Sequence, residues 1–162
     1  MRNYENYALG NWIKGDGEGT LLFNAITGKE IGRASSKGLD FSEMMSYARK
    51  VGGPKLRKMT FQERGLMLKA LALHLHSIKK KFYALSAETG ATKADSWIDI
   101  EGGIGNIFAN ASLRKNFPDL PYHVDGDMAP LSKNGTFIGH HIMMPREGVA
   151  IHINAFNFPI WG

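Results

Sequence analysis

The chain has 162 residues, no cysteine and a formal net charge of +5, and 43% of its residues are hydrophobic and 22% are charged. This composition is typical of one globular domain, and it excludes disulfides, thiolate metal ligands and a cysteine nucleophile within these residues. The first residues, MRNYENYALGNW, lack the basic and apolar regions of a signal peptide. Together with the lack of cysteine, this favours a cytoplasmic protein.

Basic residues are concentrated in two segments, Arg49–Lys58 and Lys79–Lys81. A nucleic-acid-binding surface needs interleaved aromatic residues or a recognisable module, so solvated helix faces are the better interpretation. The longest uncharged run, residues 148–162, is shorter than the about 20 apolar residues of a membrane span and contains polar residues. We therefore expect neither a nucleic acid nor a membrane as a partner, and a buried position for this run.

Short strands separated by turns are predicted for residues 7–34, which form hairpins. The motif GDGEG at residues 15–19 has the glycines of a phosphate-binding loop, but no strand precedes it and no helix follows it. A hairpin turn at the surface explains the motif better. The strand segment TLLFNAI, a turn over TGKE at residues 27–30 and the strand segment IGRA complete this region.

Cap residues mark the start of two predicted helices. Asp40 and Glu43 can accept hydrogen bonds from the first N–H groups of a helix that ends at residues 52–54, GGP. Thr60 and Glu63 repeat this pattern at the start of a second and longer helix.

The second helix carries apolar residues at alternating steps of three and four, which is the spacing of one helical face. The members of this stripe are Leu68, Leu71, Leu75, Ile78, Phe82 and Leu85. Leu66, Ala70 and Leu73 form a second strip, so we expect the helix to be buried on more than one side. His74 and His76 are two residues apart and point in different directions on a helix, which favours packing or surface roles over metal binding.

A third helix is predicted to begin near Asp95 or Ser96. Its apolar face consists of Trp97, Ile100, Ile104, Ile107, Phe108 and Ala111. Three glycines lie inside it, at positions 102, 103 and 105, and each costs about 0.8–1.0 kcal/mol relative to alanine. Their presence predicts that another backbone approaches closely or that the helix bends there. The segment EGGIG also resembles part of a dinucleotide-binding loop, but no strand leads into it.

The remainder of the chain is predicted to contain β-structure. Residues 117–130 include prolines and are predicted to be irregular, whereas Asn134-Gly135 indicates the turn of a hairpin at about 131–147. The strand TFIGHHIMM follows, and the tetrapeptide PREG separates it from a second strand, VAIHIN. His140 and His141 would lie on opposite faces of a strand and cannot bind one metal ion as a pair.

The segment VAIHIN is apolar at almost every position, which is typical of a strand covered on both faces in a parallel sheet. Asn157, Phe158 and Pro159 then indicate a turn from a strand into a helix, because proline suits the first helical turn. The residues alone favour an N-cap or turn role for Asn157.

The segment GVAIHINAFNFPIWG resembles the first strand and turn of the cofactor-binding domain of aldehyde dehydrogenases, whose signature there is Pro-Trp-Asn-Phe-Pro. The segments ITGKEIGRA, MTFQERGLMLKALALHL and FYALSAETGATKADSWIDIEGGIG extend the resemblance from about residue 7 to residue 162. They are similar to the bifunctional ring-opening branch of phenylacetate degradation, which joins an aldehyde dehydrogenase to an oxepin-CoA hydrolase of the enoyl-CoA hydratase type. Ala155-Phe156 replaces Pro-Trp in the signature, as expected for this branch.

The resemblance implies an α/β fold. Residues 1–162 would be the N-terminal portion of the cofactor-binding domain, with hairpins, long helices and the first strand of an incomplete Rossmann-like parallel sheet. It also implies NADP or NAD as the cofactor, an open-chain CoA-thioester semialdehyde as the substrate, and a homo-oligomer that assembles through the hairpins. No metal is implied.

The resemblance assigns roles to four residues of this chain. Asn157 would stabilise the oxyanion that forms when a cysteine thiolate attacks the aldehyde, together with the backbone N–H of that cysteine. Asn154, Ala155, Phe156 and Asn157 would contact the cofactor. His152 has no counterpart in the motif and is expected to be a packed strand residue.

The other catalytic groups that the family uses have no counterpart in these residues: a cysteine nucleophile, a glutamate base, a lysine at the cofactor ribose and a glycine-rich loop. We therefore expect the chain to be an N-terminal piece of a larger dehydrogenase that is inactive by itself, without its catalytic domain or any hydratase-type domain. The alternative is a non-catalytic binding or assembly module derived from the same fold.

Overall fold

A computed structural model of the chain describes residues 2–155 and 157–162. The fold is mixed α/β, as the sequence predicts: helices form the core, and small sheets lie around them. Within the described residues, no helix is both long enough and apolar enough to cross a membrane.

Five short strands form the N-terminal region. They are β1 (Arg2–Tyr4), β2 (Asn6–Ala8), β3 (Asn11–Ile13), β4 (Thr20–Phe23) and β5 (Glu30–Ala34). β4 and β5 are antiparallel, β1 runs parallel to β5 on its other side, and β2 and β3 form a separate antiparallel pair. A turn between β4 and β5 is confirmed, but it covers residues 24–29 and not 27–30: the side chain of Asn24 accepts the N–H groups of Ile26 and Thr27, and Asn24 N donates to Lys29 O.

The GDGEG segment is not a hairpin turn, which corrects the prediction. It connects β3 to β4, and these strands belong to different sheets. The reason is that the segment pairs with the chain after β5: Asp16 N donates to Lys37 O at 2.8 Å, and Ser35 Oγ donates to Asp16 O at 2.8 Å. The cleft beside it encloses about 20 Å³, which is space for about one water molecule.

The first predicted helix begins where expected but continues further. Helix α1 (Phe41–Tyr47) is capped by Asp40, whose Oδ1 accepts from Glu43 N at 2.8 Å. A wide π-helical turn (Ala48–Gly52) leads directly into helix α2 (Gly53–Lys58), so the predicted end at residues 52–54 is wrong. Proline is tolerated at position 54 because the first turn of a helix needs no partner for its N–H groups.

Helix α3 (Phe61–Glu88) begins with the predicted capping box of Thr60 and Glu63. Its most buried positions are small residues, Gly65, Ala72 and Ser86. The predicted second strip is wrong, because its members Leu66, Ala70 and Leu73 are exposed, and Leu71 of the first stripe is also exposed. The physical reason is that the contact with the next long helix is narrow and requires small side chains.

The third predicted helix begins earlier than expected, because Thr92 and Asp95 form a capping box before it. It consists of α4 (Lys93–Trp97), a π-helical turn (Ile98–Gly102), α5 (Gly103–Ser112) and a 3₁₀ turn (Leu113–Asn116). Trp97 is exposed, contrary to the prediction. The core cluster consists of Ala72, Ile100 and Ile104, surrounded by Leu75, Phe82, Tyr83, Ile107, Phe108 and Ile160.

The C-terminal hairpin lies at slightly different residues than predicted. Strand β6 (His123–Pro130) pairs with β7 (Ile138–Met143), and the turn between them contains Asn134-Gly135, as expected. Residues 123–130 are therefore a strand and not irregular. Their register shifts between Asp125 and Ala129, so the segment HVDGDMAP shows no alternation from which a strand could be predicted.

The segment VAIHIN, residues 149–154, is not part of a described strand, which corrects another prediction. Ile151 is 73% exposed and Ile153 is 94% exposed. His152 is exposed as well and is not a packed strand residue. A strand needs a hydrogen-bonded neighbour, and none of the described strands pairs with this segment.

Candidate functional site

The candidate site is a tight turn that contains Asn157. Phe158 N donates to Ala155 O at 3.2 Å, which closes the turn. Asn157 is exposed, and residues 159–161 continue as turns, so the predicted helix does not begin at Pro159 in this structure. Phe156, a predicted cofactor contact, lies outside the described residues.

Asp99 holds the chain that follows this turn. It is 2% exposed and lies in the π-helical turn between α4 and α5. Its Oδ1 atom accepts the backbone N–H groups of Ile160, at 3.2 Å, and Trp161, at 2.7 Å. Sequence reasoning missed this residue. The available signal was a carboxylate between two isoleucines, in the segment WIDI, on the apolar face of a predicted helix.

Two glycines allow the turn to lie directly on the helix. A Cβ atom at Gly103 would lie 2.8 Å from Trp161 Cα, and a Cβ atom at Gly102 would overlap the indole ring of Trp161. The predicted close approach of another backbone is thus confirmed at position 103, whereas the neighbour of Gly102 is a side chain. Gly105 has open space around its Cα atom, so it takes no part in this contact.

Clefts of different character meet at this turn. Asn157 borders a cleft of about 370 Å³ whose polar lining includes Ser86, Thr89, Asp95 and Asp99. It also borders a cleft of about 510 Å³ toward the N-terminal sheet. A third, apolar cleft of about 400 Å³ is lined by Ile98, Ala155, Phe158, Trp161 and Gly162. The turn therefore lies between a cleft of mixed polarity and an apolar one.

The structure brings three of the four predicted site residues together. Asn154, Ala155 and Asn157 are each exposed, and the side chain of Asn154 approaches Gly162. Their contacts with a cofactor and the oxyanion role of Asn157 stay predictions. Among the described residues, no group of three or more His, Cys, Asp or Glu side chains is arranged to bind a metal ion.

An ion pair joins α3 to the π-helical turn that contains Asp99. Lys79 Nζ lies 2.7 Å from Glu101 Oε1, and Tyr83 Oη donates to the same oxygen at 3.3 Å. The hydrogen bond from Lys79 holds the pKa of Glu101 below its usual range. Burial, followed by the charge of Glu101, raises the pKa of Tyr83. Glu101 lies in the same π-helical turn as Asp99, so this pair joins that turn to α3.

The chemistry available at the turn is that of a neutral hydrogen-bond donor. The amide of Asn157 can donate to a carbonyl oxygen or an oxyanion at any physiological pH, because it does not titrate. Such a donor stabilises a reaction when it is fixed where negative charge develops. The hydrogen bonds to Asp99 and the contacts of Trp161 with Gly102 and Gly103 hold the chain just after Asn157, and so restrain where this amide lies.

Comparison with known proteins gives two results. The sequence profile described as "Aldehyde dehydrogenase family" matches residues 12–161. A curated protein from Aromatoleum evansii, described as a 3,4-dehydroadipyl-CoA semialdehyde dehydrogenase, is 37% identical over 158 residues. The alignment covers 97% of this chain and 31% of that protein, so the chain spans about a third of the length of the relative. These results confirm the resemblance to aldehyde dehydrogenases.

Proposed function

This chain belongs to the aldehyde dehydrogenase family, and on that premise we propose that its residues form part of an NAD(P)-dependent enzyme that oxidises an aldehyde to an acid. The observation that carries the proposal is the exposed Asn157, on a tight turn between a cleft of mixed polarity and an apolar one, with Asp99 holding the residues just after it. An apolar space beside a fixed donor suits the carbon chain of an aldehyde and its carbonyl oxygen.

We propose that the amide of Asn157 donates a hydrogen bond to the aldehyde oxygen as a cysteine thiolate attacks the carbonyl carbon. The C=O double bond becomes a single bond, and the oxygen gains the negative charge that the amide stabilises. The cysteine must come from outside these 162 residues, because they contain none. A bound nicotinamide supplies the hydride acceptor.

The exposed turn fits the proposed cofactor role of its backbone. Asn154, Ala155 and Asn157 are exposed, and Asn157 lies at the mouth of the 370 Å³ cleft, so main-chain groups there are accessible to a ligand. We propose NADP or NAD as that ligand, with contacts from these residues and Phe156.

A CoA-thioester semialdehyde is the substrate we propose, because the relative from Aromatoleum evansii is described as acting on such a compound. We further propose a role in phenylacetate catabolism, in an enzyme fused to an oxepin-CoA hydrolase, which the segment INAFNFP supports. A cytoplasmic homo-oligomer completes the proposal. Its support is the hairpin β6–β7, which exposes several large apolar side chains, among them Met128, Ile138 and Ile142.

The test of the proposed role is Asn157→Ala in a complete dehydrogenase that contains these residues. We expect kcat for aldehyde oxidation to fall by about 10²–10³, the loss seen when another enzyme loses one oxyanion-stabilising donor. Asn106→Ala is the matched control, because Asn106 is exposed on α5 and borders none of the three clefts. An unchanged kcat for Asn157→Ala, with chemistry shown by single-turnover kinetics to limit the rate, would contradict the proposal.

The 162-residue chain by itself is expected to show no aldehyde oxidation, since thiolate attack needs a cysteine. The measurement is reduction of NAD or NADP, followed by absorbance, with the purified chain and an aldehyde. Turnover that co-purifies with the chain and persists through repeated chromatography would show that this expectation is wrong.

A further inference from the structure

We propose that Asp99 is a positioning residue: its buried carboxylate holds the backbone of Ile160 and Trp161, just after the turn that carries Asn157, and so fixes where the Asn157 amide is presented. This inference rests on the proposed function, since it assigns to Asp99 an effect on catalysis that passes through Asn157. Asp99 is not assigned a contact with substrate or cofactor.

The first observation is the pair of hydrogen bonds to one oxygen. Asp99 Oδ1 accepts from the backbone N–H groups of Ile160 and Trp161, at 3.2 and 2.7 Å. These residues follow Asn157 by three and four positions, so the carboxylate restrains the chain just beyond the donor. Hydrogen bonds to an ionised acceptor are shorter and stronger than neutral ones, and two of them fix direction as well as distance.

The second observation is the surface on which the turn lies. Gly102 and Gly103 leave no space for a Cβ atom against Trp161, so the turn and the helix are in direct contact. Gly103 follows Asp99 by four positions, which places both on one side of the helix. Backbone contact at Gly103, the Trp161 ring on Gly102 and the hydrogen bonds to Asp99 therefore all restrain Ile160 and Trp161.

The third observation is the other oxygen of the carboxylate. Asp99 Oδ2 is buried and has no hydrogen-bond partner among the described residues. A buried acceptor without a partner costs stability, about 1–3 kcal/mol for a neutral group and more for a charged one. Among the described residues, Asp99 therefore contributes its hydrogen bonds to the backbone through Oδ1 alone.

The experiment compares Asp99→Ala and Asp99→Asn in the complete dehydrogenase. We expect Asp99→Ala to lower kcat by about 10- to 100-fold, because a displacement of about 1 Å can cost 10²-fold in rate, with the KM for the aldehyde changed less than about threefold. Asp99→Asn keeps an acceptor oxygen at the same position, so we expect it to retain kcat within about fivefold. Asp119→Asn is the control, because Asp119 is an exposed acid that borders none of the three clefts.

A double-mutant cycle tests whether the effect passes through Asn157. If it does, Asp99→Ala should lower kcat by less than about twofold once Asn157→Ala is present, since coupled residues are not additive. If the reductions in kcat caused by Asp99→Ala and Asn157→Ala multiply in the double variant, the proposal is overturned. An unchanged kcat in Asn157→Ala alone would instead overturn the proposed function, and with it the catalytic part of this inference.

The anchoring has a readout that does not depend on activity. In the 162-residue chain, Asp99→Ala should accelerate amide hydrogen exchange at Ile160 and Trp161 by about tenfold or more, whereas Asp99→Asn should preserve most of the protection. Asp99→Ser serves the same comparison if Asp99→Ala does not fold. Unaltered exchange in a folded Asp99→Ala or Asp99→Ser variant would overturn the anchoring itself, whatever the kinetics of Asn157.

Discussion

Asp99 and Glu101 lie two residues apart in one π-helical turn and accept hydrogen bonds from opposite sides. Asp99 accepts from the backbone next to the Asn157 turn, and Glu101 accepts from Lys79 and Tyr83 on α3. The π-helical turn is therefore bonded to α3 on one side and to the backbone beside the candidate site on the other. Because both carboxylates are largely buried, each contact is less screened by solvent than a surface ion pair would be.

At the residue scale, we predict that Glu101→Gln lowers the free energy of unfolding by about 1 kcal/mol at pH 7. The pKa of Glu101 is lowered, first by the hydrogen bond from Lys79. The stabilisation is thus fully present above the unfolded pKa, about 4.3, and is lost as the pH falls through the folded pKa. Urea denaturation of both proteins should show a difference that shrinks between pH 7 and pH 3.

Lys79→Met should produce a similar loss at pH 7, because it removes the other half of the pair. Lys80→Met is the matched control, since Lys80 is the exposed neighbour of Lys79 and the described structure records no ion pair for it. A difference between wild type and Glu101→Gln that stays constant from pH 7 to pH 3 would contradict the assigned role of the Glu101 carboxylate.

At the scale of elements, small residues mark the place where α3 crosses α5. A Cβ atom on Gly65 would lie 2.7 Å from Arg114 Cβ and 2.9 Å from the backbone oxygen of Ala111. The backbone oxygen cannot move without moving the end of α5. The helices therefore approach each other more closely than leucine side chains would allow, which explains why part of the leucine stripe remains exposed.

This crossing predicts opposite effects for two glycine substitutions. Gly65→Ala should destabilise the chain by about 1–3 kcal/mol, because overpacking exceeds the gain in helix propensity. Gly105→Ala meets no atom within 4 Å and should stabilise α5 by up to about 1 kcal/mol. Denaturation midpoints in urea provide the comparison. Shifts of the same sign in both variants would show that the crossing is not as close as described.

The sequence predicted the elements whose signals are local. The caps at Asp40 and Thr60 act within four residues, so the helix starts they indicate were correct. The prediction of a strand at VAIHIN was wrong, because strand pairing depends on a distant partner that the apolar pattern does not specify. β6 was missed because its shifted register hides the alternation of side chains.

The candidate site was predictable only in part. The turn at Asn157 was found because its motif resembles that of a known family, whereas residue chemistry alone favoured a capping role. Asp99 was missed because its partners are backbone N–H groups 61 and 62 positions away. Backbone groups carry no sequence signature, so a contact of this kind becomes visible only when the fold brings the two segments together.

At the scale of the whole molecule, the chain exposes more surface than its mass requires. Its accessible surface is 11965 Å², compared with about 8,000 Å² expected for a compact monomer of this mass. Large apolar side chains are exposed on α3, on the hairpin β6–β7 and at Ile151 and Ile153. Large exposed apolar areas of this kind favour association.

We predict that the 162-residue chain self-associates in solution and that residues 149–153 contribute to this. Their exposed isoleucines and unpaired backbone can form intermolecular strands. Light scattering coupled to size-exclusion chromatography should give an average mass that rises with concentration, and the double variant Ile151→Ser/Ile153→Ser should reduce that rise. Ile26→Ser is the matched control, because Ile26 is 70% exposed in the turn between β4 and β5, away from this segment. A monomeric mass at all concentrations, or an equal reduction by Ile26→Ser, would show that residues 149–153 do not drive association.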